Sequence, residues 1–204
     1  MIKILKTAIA MLALSSFPVL AGEEAWQDSY RLEKAGQYQD AISAIAPVPA
    51  NGVDAELKTL RRGWLYYLMG SYNESIREYR YAVERNGNSI DALLGETLPL
   101  LAQKRWREAE QASRDALKLS PNNYTALVRL AASLEGERDW EAMEKTAASL
   151  VNHYPSDATA YVYLARAYAW EGKNTKAASA YRSVLVRYPG EAEASSFLAG
   201  MRGK

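Results

Sequence analysis

Between residues 159 and 171 the apolar side chains fall at Tyr161, Leu164, Ala165 and Tyr168, and between 176 and 188 at Ala177, Tyr181, Val184 and Leu185. Both runs have the three-and-four spacing of an amphipathic helix. Gly172 separates them, and Pro189, which cannot continue a helix, closes the second. The pattern predicts two helices, A and B, folded back on each other. It also recurs. An aromatic column reads Tyr38, Tyr72, Trp106 and Trp140, then Asn174, each step being 34 residues. Two residues upstream stand Gly36, Gly70, Lys104, Arg138 and Gly172; three downstream stand Ala41, Ser75, Ala109, Met143 and Ala177. A further column, Ser29, Gly63, Thr97, Ala131 and Ala165, is small throughout. Small residues at these places let A and B cross closely, and a fixed period of this length marks a repeat array.

One hairpin buries too little to stand alone, so neighbours must stack. The pattern resembles the tetratricopeptide repeat. The matching residues are Gly63, Tyr66, Gly70, Tyr72, Ser75, Tyr79 and Ala82 in the second copy. In the fifth they are Leu164, Ala165, Tyr168, Gly172, Ala177, Tyr181, Val184 and Pro189. The resemblance implies an all-α, right-handed α-solenoid of about five 34-residue helix-turn-helix repeats, at residues 22–55, 56–89, 90–123, 124–157 and 158–191. Leu198-Ala199 falls one period after Leu164-Ala165, so residues 191–201 read as a C-terminal capping helix. Two departures carry expectations. The prolines of "APVPANG" (46–52) should curtail the first B helix, and Gly95 with Pro99 should bend the third A helix.

Each A helix carries a second stripe beside its packing stripe. Its members include Trp26, Leu60, Leu94, Val128 and Val162 in one column and Tyr30, Trp64, Leu98, Ala132 and Arg166 in another. Tyr67, Leu68, Leu101 and Trp170 extend it. A helix with a single buried face would be polar there. In the family resembled, this stripe lines a concave groove where ligands lie. The resemblance therefore implies a groove of Trp26, Tyr30, Leu60, Trp64, Tyr67, Leu68, Leu94, Leu98 and Leu101. Arg61, Arg129, Tyr163, Arg166 and Trp170 form its rim. The competing reading is that neighbouring A helices bury much of the stripe. Trp106 and Trp140, in the turn column, read as packing residues.

Composition narrows the role. Residues 1–21 have Lys3 and Lys6, a short apolar run and a small-residue end at Ala21, the form of a secretory leader cleaved after Ala21. That implies a periplasmic or secreted protein with no membrane span in its mature chain. The mature chain keeps 23 basic and 24 acidic residues, a balance that argues against nucleic acid as a partner. With no cysteine and one histidine, His153, no thiolate or histidine-cluster metal site is available, and no cofactor motif occurs. No catalytic constellation is legible, so the expectation is a non-enzymatic scaffold of the cell envelope whose groove binds a protein partner through an apolar or aromatic-bearing segment. Two alternatives use the same residues: a glycan stacked on Trp64, Tyr67 and Trp170, and a second copy of the chain making a homo-oligomer.

Overall fold

The computed structural model describes residues 17–52 and 54–202. Most of the expected leader, residues 1–16, lies outside them. The described residues form eleven helices. The A helices are α1 (Phe17–Lys34), α3 (Ala55–Leu68), α5 (Ile90–Ala102), α7 (Tyr124–Glu137) and α9 (Ala158–Trp170). The B helices are α2 (Tyr38–Ala44), α4 (Tyr72–Arg85), α6 (Trp106–Leu119), α8 (Trp140–His153) and α10 (Asn174–Arg187), and α11 (Ala192–Arg202) follows. Each residue of the aromatic column is the first residue of a B helix. Consecutive helices pack on one another, and α3, α5, α7 and α9 also touch in series, which is the arrangement of an α-solenoid. No described helix is long and apolar enough to cross a membrane.

The turn between A and B explains one sequence column. Gly36, Gly70, Lys104, Arg138 and Gly172 all adopt positive φ, at 74°, 75°, 58°, 62° and 75°. A left-handed residue ends helix A and points the chain back along it. Three copies use glycine for this, and two hold a lysine or arginine in the same conformation. The B helices then bring their small column against A: Ala41, Ser75, Ala109, Met143 and Ala177 are all fully buried. Ser75 donates its hydroxyl to the Gly63 carbonyl at 2.7 Å, so the crossing is bonded as well as close.

The first B helix is indeed short, seven residues, and the chain then runs through Pro47 and Pro49 into the α2–α3 loop. Lys58 holds this loop by donating to the carbonyls of Ala46 and Val48. At the other expected departure α5 remains one helix across Gly95 and Pro99. Gly95 serves packing instead. A Cβ there would lie 2.1 Å from the Tyr79 ring, and one at Gly63 would lie 2.9 Å from it. Tyr79 of α4 thus passes between two A helices through a slot made of glycines. At the far end α11 covers the last hairpin, burying Ala194 and setting Phe197 on Tyr181 with ring centroids 4.7 Å apart.

Candidate functional site

Between α1 and α3 lies a cleft of about 500 Å³, with Tyr30, Leu57, Leu60, Trp64 and Tyr79 as its apolar lining and Glu33, Lys34, Arg61 and Asp91 as its charged lining. It adjoins a second hollow of about 700 Å³ that shares Tyr30 and Leu57 and adds Trp26, Val48 and Pro49. The prolines of the α2–α3 loop explain that wall, since the curtailed α2 leaves loop where other repeats have helix. Tyr30 and Leu57 are 47% and 44% exposed, a large apolar surface to leave in water.

One arginine holds the two helices apart at a fixed distance. Arg61 is 5% exposed. Its Nε donates to the Ser29 hydroxyl at 3.1 Å and its Nη2 to the Ser29 carbonyl at 3.0 Å. Its Nη1 pairs with Glu33, and the guanidinium lies 3.9 Å from the Tyr30 ring centroid. Glu33 also accepts the Trp64 indole N–H at 2.8 Å. The cleft is therefore braced from below, and its indole is fixed by a carboxylate of the neighbouring repeat.

This geometry sorts the residues that the sequence singles out. Trp26, Tyr30, Leu60 and Trp64 come together. Arg61, expected at the rim, is instead the buried brace, because a long side chain at its position on α3 reaches α1 before it reaches solvent. Arg166 is likewise tied between repeats, donating to Glu193 of α11 and Glu135 of α7. Leu94 and Leu101 pack half-buried onto core clusters around Leu93 and Leu100, as the burial reading expects. Leu98, Leu68 and Arg129 are half-buried farther along the stripe. Tyr163 packs against Leu127 and Leu130, and burial pushes its hydroxyl pKa up. Tyr67 bridges Trp64 and Tyr72, with centroids 5.6 and 5.9 Å away.

Trp170 belongs to the turn edge rather than to the cleft. It stacks on Trp140 at 5.2 Å with 9° between the rings, its outer face leaving it 66% exposed. One period earlier Gly136 occupies the same place, and there the Trp106 ring lies directly on the backbone: a Cβ at Gly136 would be 2.3 Å from it. The size of Trp170 thus follows from covering its neighbour. Two lining residues escape the sequence reading. Leu57 stands in a column otherwise filled by Glu23, Asp91, Thr125 and Thr159, so a lone leucine there was the available sign. Tyr79 sits on a B helix, and only the paired glycines Gly63 and Gly95 hint that it reaches through.

The ties between repeats set a pH dependence. Burial alone would raise the Glu33 pKa, but hydrogen bonds from Trp64 and Arg61 and the charge of Arg61 bring it below the ordinary value. The Arg166 hydrogen bond does the same for Glu193 against its burial, with help from Tyr181. Bonds from Arg105 and Arg80 take Glu108 down to about 2. Groups with lowered folded pKa bind fewer protons folded than unfolded, so their stabilisation is present above about pH 4.5 and lost as pH falls toward 2. Glu96 and Glu137, both raised chiefly by burial, work in the opposite sense but are two groups against several. Thermal unfolding should therefore show a midpoint lower by about 5 °C or more at pH 3 than at pH 7. Glu193→Gln should flatten that dependence; a midpoint independent of pH would refute it.

Comparison with known proteins agrees with this architecture. Residues 159–190 match the sequence profile of the tetratricopeptide repeat. MamA (41-end) from Desulfovibrio magneticus RS-1 has a similar structure, with TM-score 0.74 at 14% identity over 84% of this chain and 97% of that one. YrrB, titled a TPR protein with an unusual peptide-binding site, gives TM-score 0.70 at 14% identity over 88% and 91%. TTC0263, a thermophilic TPR protein in Thermus thermophilus, gives 0.63 at 13% over 88% and 97%. No curated protein sequence matches. The profile match marks one tetratricopeptide repeat at residues 159–190, and the chain as a whole shares the fold of these solved tetratricopeptide repeat proteins.

Proposed function

We propose that the protein is a non-enzymatic interaction scaffold of the cell envelope, exported by its leader, that holds an apolar or aromatic-bearing segment of a partner protein in the α1–α3 cleft. The observation that carries this reading is the cleft itself: Tyr30, Leu57, Leu60 and Trp64 form one apolar surface, half exposed, on a rigid brace. A preformed concave apolar site with few fixed polar groups is what a protein segment needs to bury side chains without reordering its host. Binding of a peptide is named for YrrB, whose fold this chain shares. A sugar ring is a poor fit for the aliphatic walls of Leu57 and Leu60, because its hydroxyls would lose their water without finding partners.

The test is photo-crosslinking in cells from a reactive side chain at position 57, with the exposed Ala148 of α8 as the control position. A protein adduct should form from position 57 and not from 148. Trp64→Ala should cost about 2 kcal/mol of affinity for that partner, roughly thirtyfold, while circular dichroism stays unchanged. An adduct with a second copy of the chain would replace the partner reading by self-association. Adducts that form equally from both positions would remove the cleft as the site.

A further inference from the structure

The cleft carries a charge pattern that the sequence did not suggest, and its inference rests on the reading just given. The arginines available to the groove would favour an acidic partner. In the structure the Arg61 charge is consumed by Glu33, and the pair is buried beneath the apolar wall. Arg166 is consumed by Glu135 and Glu193, and Arg129, on α7, lines neither hollow. What remains is Asp91 in the cleft and, around the adjoining hollow, the carboxylates of Glu23, within α1, and Asp54, at the start of α3. None of them is paired with a cation among the described residues. Asp54 makes no side-chain cap bond at the start of α3. Asp91 is released from capping because Ser89 caps α5. Glu23 receives only the neutral amide of Gln27 at 3.3 Å. Lys34 lines the cleft together with Asp91, whereas among the described residues no lysine or arginine lines the adjoining hollow that holds Glu23 and Asp54.

We infer that the occupant of the α1–α3 cleft is a cationic peptide segment, with an apolar or aromatic side chain seated on Leu57, Leu60 and Trp64 and lysine or arginine beside it in the adjoining hollow, facing Glu23 and Asp54. The helix macrodipole explains why a carboxylate is tolerated at the start of α3, but it does not require a second, Glu23, across the same apolar hollow. An acidic segment entering the same hollow would meet like charges, and such juxtaposition discriminates between partners even where it adds little affinity.

The probes are two synthetic twelve-residue peptides with the same Leu-Trp-Leu centre, one flanked by lysines and one by glutamates. Each is titrated by fluorescence anisotropy against the full chain. The lysine peptide should bind about tenfold tighter at low salt. That ratio should fall toward one near 0.5 M salt, where charges are screened within a few ångströms (~4 Å), and also in the Glu23→Gln, Asp54→Asn double variant. Equal affinities, or tighter binding of the glutamate peptide, overturn the inference. If the two peptides bind equally and Trp64→Ala weakens both, the cleft remains the site and only its charge preference falls. If neither peptide binds, or binding ignores Trp64→Ala, the cleft reading falls with it.

Discussion

Gly95→Ala lowers the stability of the solenoid by about 2 kcal/mol, although in an exposed helix the same change would raise it. Alanine is favoured over glycine within a helix by about 1 kcal/mol. Here the added methyl would stand 2.1 Å from Cε1 of Tyr79, whose ring is 3% exposed and held on its other side by Gly63. Overpacking a tight site costs about 1–3 kcal/mol. With the ring confined on both sides the cost lies at the upper end and exceeds the helical gain. Because Tyr79 lines the cleft, the change should also distort the site. Chemical denaturation checks the sign. The double variant with Tyr79→Leu should recover most of the loss, since the removed ring is what the methyl meets. Gly87→Ala, with nothing within 4 Å, should stay within about 0.5 kcal/mol of the parent. A stabilised Gly95→Ala protein would show that the slot is not tight.

Arg61→Ala should be the more damaging change, at about 3 kcal/mol. It leaves the Glu33 carboxylate and the Ser29 carbonyl without their guanidinium, and removing one member of a buried pair costs about 3–5 kcal/mol. Glu33 keeps some water and the Trp64 indole, which places the loss at the low end of that range. The damage should be local. Stability in a solenoid is a sum of repeat and neighbour terms, so hydrogen exchange should quicken in α1 and α2 while α7 to α10 keep their protection. Arg61→Lys should not rescue, because one ammonium cannot reproduce the planar fork that reaches Ser29 and Glu33 together. Uniform loss of protection along the chain would contradict the brace as described.

Residues of one stripe column differ in what they do. Leu94 and Leu60 occupy the same column, yet Leu94 packs on Leu93, Ala116 and Ala126 while Leu60 faces the cleft. The difference lies in the neighbours: the A helices from α3 onward touch in series, whereas α1 and α3 are spanned largely by the Arg61 side chain. Sequence period reports the direction of a side chain on its own helix. It does not report how far away the next helix stands.

The helices, their order and their turns are legible along the chain. Those follow from the apolar period and a left-handed turn at fixed intervals, both local properties of the chain. The short first B helix followed from its prolines, again locally. Packing between helices settles which face of the stripe is open, makes Arg61 and Arg166 ties between repeats, and lays Trp170 over Trp140. Each of these depends on the distance between residues about thirty positions apart in sequence. That distance is set by how bulky side chains such as Tyr79 lodge between glycines on two different helices, a balance of volumes that no single repeat contains.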